Sequence, residues 1–176
     1  MGMTGRKIVE SAGLDVKEVI RLLNKAFSDE WLAYYQYWAG AQVASGLMAP
    51  VLRPELEEHA NEELDHAQKL AKRIVELGGT PVLSPEEWYK QSTCGYLVPT
   101  DSDANALLKQ NLQGERCAIE VYNKLLKQVL NKDMITAHIV RQILQEEIEH
   151  EQELEDLAKD YQLTIPSNVA CACKKK

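Results

Sequence analysis

Six residues of this chain fall into two matching sets. Glu63 and His66 form a Glu-x-x-His pair, and so do Glu147 and His150. That spacing puts both members of each pair on one face of a helix. A lone glutamate precedes each pair at nearly the same interval. Glu30 lies 33 positions before Glu63, and Glu115 lies 32 before Glu147. The chain therefore reads as two similar halves, each with a lone Glu on one helix and a Glu-x-x-His on the next. Four carboxylates and two imidazoles so arranged suit a pair of metal ions inside a four-helix bundle. No thiolate is among the six, so the donor set favours iron or manganese over structural zinc.

The deciding question is whether these polar residues face the core. Along the first helix the apolar stripe reads Leu23, Phe27, Glu30, Tyr34, Tyr37, Ala41. The second reads Leu56, Ala60, Glu63, Ala67, Leu70, Ile74, with His66 beside it. The third reads Leu108, Leu112, Glu115, Ile119, Tyr122, Leu126, and the fourth Val140, Ile143, Glu147, His150, Leu154. Each stripe keeps helical period and is interrupted near its middle by the residues in question. A buried unpaired carboxylate costs several kcal/mol even after relaxation. Four in one core need cations, and two divalent ions would balance their charge. A single Glu-x-x-His arises readily by chance in a Glu-rich chain. Two copies on apolar stripes, each with its lone Glu one helix earlier, do not.

The elements that must position these residues can be read from the punctuation of the chain. It has 176 residues with nine Gly and six Pro, and these cluster between long stretches rich in Leu, Ala, Glu, Lys and Gln. That composition predicts an all-α fold, an antiparallel four-helix bundle in a single domain. The first helix is expected over 14–45, with Asp15 as N-cap and Gly46 as stop. The second is expected to start at Pro54 and to end at Gly78 and Gly79. Pro81, Pro85 and Pro99 break the long crossover that follows. Within it, Ser84-Pro85-Glu86-Glu87 predicts a short helix with a capping box closed by Glu87. The third and fourth helices are expected over 103–130 and 133–161, leaving a tail over 162–176.

The bulk numbers bound the function. Hydrophobic residues are 45% and charged residues 27%, with a net charge of −7. The acidic balance argues against broad nucleic-acid binding. No apolar run is long enough for a membrane span, and Met1 to Glu10 does not read as a signal peptide. Cys94, Cys117, Cys171 and Cys173 lack the paired spacing of a zinc ribbon or rubredoxin site. They are expected to be mostly reduced, in a cytoplasmic protein. His59, one turn before Glu63, could with Glu62 form an entry or nucleation site for metal; a solvated polar position is the simpler reading.

Beyond these patterns the chain resembles the ferritin-like superfamily over nearly all of 14–161. It is most similar to the bacterioferritins and to the Dps-like thioferritins. The segment Glu30-Trp31-Leu32-Ala33-Tyr34-Tyr35-Gln36-Tyr37 resembles the bacterioferritin first-helix motif. Glu63 with His66, Glu115, and Glu147 with His150 match the ligands of the other three helices. The resemblance implies two iron ions per subunit. Glu63 and Glu147 would bridge them, and Glu30 with His66 and Glu115 with His150 would be terminal. Tyr37 matches a tyrosine that can donate an electron. Leu64 stands where bacterioferritin has its haem-ligating Met, so no haem is expected. The short helix near Trp88 and the absence of a persuasive fifth helix point to a homo-oligomeric cage of 12 subunits rather than 24. Cys94 and Cys117 resemble the cysteine pair that thioferritins carry near the site. On residue grounds alone Cys117, two positions from Glu115, could equally pack as a small apolar side chain.

The resemblance thus implies a ferroxidase that stores and detoxifies iron, oxidising Fe(II) with hydrogen peroxide or dioxygen. Two alternatives remain at this level. One is a rubrerythrin-like peroxidase without storage. The other is a DNA-compacting shell, for which the three terminal lysines supply little affinity at physiological salt.

Overall fold

A computed structural model describes residues 3–163. They form six α-helices: α1 (Met3–Ser11), α2 (Val16–Val43), α3 (Ala49–Glu76), α4 (Pro85–Gln91), α5 (Ala104–Val129) and α6 (Met134–Asp160). The four long helices make the bundle, with α2 packed along α3 and α5 along α6. The crossover from α3 to α5 carries α4, which lies on α2. Among the described residues no helix is long and apolar enough to cross a membrane. Cys171, Cys173 and the terminal lysines lie outside the described residues.

Local chemistry explains the ends of the long helices. Asp15, Asp103 and Asp133 each accept a hydrogen bond from a first-turn backbone N–H: Lys17, Asn105 and Thr136 respectively. These satisfy donors that a helix start leaves open. At the end of α3, Gly78 adopts φ +86°. Its N–H reaches the Val75 carbonyl, and that of Gly79 reaches Ile74. This paired closure needs a left-handed residue, which glycine supplies without strain.

Three expectations are corrected. Helix α1 was not foreseen; it is short, and only its Val9 is buried in the core. Helix α3 begins at Ala49 rather than Pro54, so Pro54 sits inside it. Pro54 forfeits one helical hydrogen bond, but the added turns bury Ala49 and Leu52 against the core, which outweighs it. The capping box at Ser84 does not form. Ser84 hydrogen-bonds the Glu86 side chain instead, and α4 has no side-chain cap.

The core is two apolar clusters with a polar layer between them. One cluster holds Leu23 and Phe27 of α2, Leu70 and Ile74 of α3, Leu125 of α5 and Val140 of α6. The other holds Ala41 of α2, Leu52 and Leu56 of α3, Leu108 and Leu112 of α5 and Leu154 of α6. Each fully buried Leu or Ile contributes about 1.5–3 kcal/mol. The clusters clamp the helices on both sides of the layer and so set its geometry.

One buried ion pair locks α3 to the start of α6. Arg73 donates from Nη2 to both Asp133 oxygens, at 3.0 and 2.9 Å, and from Nε to Thr136 Oγ1 at 2.8 Å. Burial opposes ionisation of Asp133, yet bonds from Thr136 and Arg73 hold its pKa below the ordinary value. The stabilisation is therefore present above the unfolded pKa of about 3.9 and is lost as pH falls through the lower folded value. Replacing Arg73 by Met strands the Asp133 carboxylate and is expected to cost about 3–5 kcal/mol, read as a lower urea midpoint. Glu76→Ala removes only the partly exposed bridge at 3.1 Å and is expected to cost less than about 1 kcal/mol. Equal losses in the two variants would refute this assignment.

Candidate metal centre

The polar layer is built from the middle of each long helix. Glu30 comes from α2, Glu63 and His66 from α3, Glu115 from α5, and Glu147 and His150 from α6. None is more than 2% exposed. Their donor atoms fall into two sets, each within 4.8 Å: Glu30, Glu63, His66 and Glu147; and Glu63, Glu115, Glu147 and His150. Glu63 and Glu147 belong to both. The structure thus brings together all six residues that the sequence pattern singled out. The two sets lie side by side and share two carboxylates.

Both imidazoles turn Nδ1 inward. His66 Nδ1 lies 3.3 Å from carboxylate oxygens of Glu30, Glu63 and Glu147. His150 Nδ1 lies 3.6 Å from Glu115 and 3.7 Å from Glu63. Both Nε2 atoms point outward to a carboxylate at 2.7 Å: Glu146 for His66 and Glu62 for His150. A carboxylate behind a ligating histidine fixes its ring orientation and raises its basicity. Sequence reasoning did not assign this role to Glu62 and Glu146. The available signal was that each directly precedes a core glutamate.

The fit to cations can be tested on the polar atoms themselves. Both oxygens of Glu147, Oε2 of Glu115 and Nδ1 of His150 are buried without a hydrogen-bond partner. Orphaned polar atoms of that kind are expensive in a protein interior. They are the atoms a metal pair would engage. The electrostatics agree. Burial, and then the neighbouring carboxylates, push Glu63 and Glu147 well above the ordinary range. Burial would lower the pKa of His66, but Glu147, Glu30 and Glu63 around it raise it instead. His150, against the same opposition from burial, is raised to about 9, chiefly by Glu115. Without cations the layer balances its charge with protons, which metal ions would displace.

Two tyrosines finish the layer. Tyr37 donates its hydroxyl to Glu115, and Tyr122 donates to Glu30. Both are 1% exposed. Sequence reasoning singled out Tyr37 but took Tyr122 as ordinary core. The signal existed in the repeat: each tyrosine lies seven positions after a lone glutamate, Tyr37 after Glu30 and Tyr122 after Glu115.

The crossover covers one side of the site. Asp29 accepts hydrogen bonds from Ser92 Oγ and from the backbone N–H groups of Thr93 and Cys94, at 2.7–2.8 Å. Burial raises the Asp29 pKa to about 7. Gln36 accepts from the Leu97 N–H and donates to Asn111, each at 2.9 Å. Cys94 and Cys117 are joined in a disulfide. The expectation of reduced cysteines is corrected for this pair, because the crossover folds Cys94 onto the face of α5 where Cys117 is buried. The bonded pair and Tyr37 line a cavity that reaches Glu63, Glu115 and Glu147. His59 is also corrected. It is buried rather than solvated, 1% exposed, with its ring stacked on His150 at 4.1 Å.

Known proteins share this architecture. The model of the ferritin-like domain matches residues 20–164. A DNA protection during starvation protein from Pyrococcus furiosus is 35% identical over 154 residues, covering 86% of this chain and 83% of the relative. A bacterioferritin from Desulfovibrio desulfuricans is 32% identical over 136 residues, covering 76% and 70%. Among solved structures, the bacterioferritin-related dodecameric thioferritin from Bacteroides fragilis is 47% identical. It superimposes with a TM-score of 0.89 over 92% of this chain and 95% of that one. The helical bundle, the two-halves sextet and these likenesses together show that the chain belongs to the ferritin-like family and resembles its Dps-like thioferritins.

Proposed function

We propose that this chain is a ferroxidase of a cage-forming iron-storage and detoxification protein. The observation that carries this reading is the pair of buried four-donor sets sharing Glu63 and Glu147. Two Fe(II) ions are the substrates. Glu30 with His66 and Glu115 with His150 hold them at the outer ends, and the two shared carboxylates hold them together. Each ion gives up one electron: with two protons, hydrogen peroxide is reduced to two waters without a one-electron step that releases hydroxyl radical, and dioxygen is reduced to hydrogen peroxide, which a second pair of Fe(II) ions reduces to water. Charge balance drives loading, since four carboxylates set against two divalent cations remove a repulsion that protons otherwise neutralise.

The chain's own residues prepare this step. Glu62 and Glu146 orient the imidazoles. The apolar clusters above and below keep the carboxylates from reaching water. Tyr37, hydrogen-bonded to Glu115 and bordering the cavity, is placed to give the second electron to peroxide where only one Fe(II) is bound, its phenolic proton moving to that carboxylate. The likeness to a dodecameric thioferritin at 47% identity supports a homo-oligomeric cage of 12 subunits that receives the oxidised iron. No haem takes part in this reading.

Anaerobic Fe(II) titration of the assembled protein is expected to break at two ions per chain. Glu63→Ala, which strips a donor from both sets, is expected to lower the initial oxidation rate at least about 100-fold. Unchanged oxidation in that variant would end the ferroxidase reading. Sizing separates storage from a peroxidase role: a cage supports the first, a dimer the second. Tyr37→Phe is expected to keep the two-ion stoichiometry and to abolish a tyrosyl radical signal seen by EPR when loaded protein meets oxidant. A radical of undiminished intensity would remove Tyr37 from the electron path.

A further inference from the structure

The two ends of the metal pair are built alike except for one reversal of charge. Residues of the second half lie 84 positions after their counterparts in the first: Glu146 after Glu62, and His150 after His66. At the His66 end, Glu146 takes the outer nitrogen of the imidazole, and Lys69 pairs with Glu146 at 3.1 Å. The counterpart of Lys69 is Glu153. At the His150 end, then, an acid stands where the other end has its own cation. The counterpart of His59 is Ile143, a fully buried core residue. Hydrocarbon at one end is thus replaced by an imidazole at the other.

These replacements assemble a second donor set. His59 Nε2 lies 3.0 Å from Glu153 Oε2 and 3.7 Å from Glu55 Oε1. Donor atoms of the three lie within 4.8 Å of one another. His59 also groups with Glu62 and His150. Its Nδ1 is buried with no hydrogen-bond partner. Among the described residues no lysine or arginine pairs with Glu55, Glu62 or Glu153, whereas Arg116 holds Glu151 and Glu155 at 2.8 and 2.7 Å. Burial, followed by the charges of Glu153 and Glu58, raises the pKa of Glu55. Among the described residues no lysine or arginine offsets this crowding of acids, and only His150 opposes the rise of Glu55.

We propose that Glu55, His59 and Glu153 form a third divalent-cation site at the His150 end of the bundle, one helical turn from the metal pair. One imidazole and two carboxylates suit Fe(II), Mn(II) or Co(II). The carboxylates of Glu153 and Glu55 are solvent-accessible, at 55% and 28% exposure, while His59 is buried. A cation captured there faces water on one side and Glu62 with His150 on the other. The site therefore stages ions for the pair, by way of Glu62, from the α3–α6 face. The staging role rests on the reading of the six-residue layer as a metal pair.

Crystals of the assembled protein soaked anaerobically with Co(II) test this by anomalous scattering. Three peaks per chain are expected, two within the six-residue layer and one against His59 Nε2. Glu153→Lys copies the closed end and is expected to leave only the two inner peaks. Glu153→Gln, a milder change at an exposed position, is expected to weaken the third Co(II) at least about 10-fold by calorimetry. Two inner peaks and none at His59 in the unmodified protein would overturn the third site alone. A third peak that survives Glu153→Lys would overturn its assigned ligands. No peak within the layer would overturn the metal-pair reading on which the staging role depends.

Discussion

Repulsion among four carboxylates in one water-free layer sets the terms for the rest of this molecule. Glu30, Glu63, Glu115 and Glu147 are each at most 2% exposed and stand close enough to share ligand positions. Left ionised and alone, such a group would open the bundle. Burial and the neighbouring carboxylates push Glu63 and Glu147 upward, and cations would relieve the same repulsion. The protein withstands the cost because two apolar clusters, one on each side, hold the four helices together. The layer is thus a locally unfavourable arrangement inside a stable frame, and bound cations would return the lost free energy.

The twofold repetition of the chain makes the layer economical. Each half delivers a lone Glu, a Glu-x-x-His, a tyrosine seven residues after the lone Glu, and a carboxylate behind the imidazole. Tyr37 belongs to one apolar cluster and Tyr122 to the other, so each frame supplies one hydroxyl to the opposite half's carboxylate. Such near-symmetry makes departures informative. Lys69 against Glu153, and Ile143 against His59, are places where the halves no longer do the same job. Core packing and metal ligation alone would not require that difference.

The crossover contributes a different kind of constraint. Asp29, directly before Glu30, is fastened to the segment over 92–94 by three hydrogen bonds, and Gln36 to Leu97 by one. The disulfide between Cys94 and Cys117 joins the same segment to α5. A loop tied at these points over the layer restricts access on the α2–α5 face to the cavity it lines. A disulfide therefore sits on the wall of the cavity that reaches Glu63, Glu115 and Glu147.

Much of this was legible in one dimension. Helical period, glycine stops and aspartate caps located the four long helices to within a few residues, because each signal acts over one or two turns. The six-residue layer was legible because a helix converts a spacing of three into a shared face, and because the pattern came twice. The errors arose where distant parts of the chain decide. Pro54 ends up inside α3 because burial of Leu52 and its neighbours outweighs one missing hydrogen bond. His59 is interior because α6 lies over it, and periodicity along α3 does not report how near that neighbour comes. Cys94 and Cys117 are 23 residues apart, and no local rule gives the distance between a loop and a helix face. Residue types and their spacing along each helix thus determined the chemistry available to this protein. Packing between helices alone decided which acids have no lysine or arginine beside them, which histidine is hidden and which sulfurs meet, since those depend on contacts made across the chain.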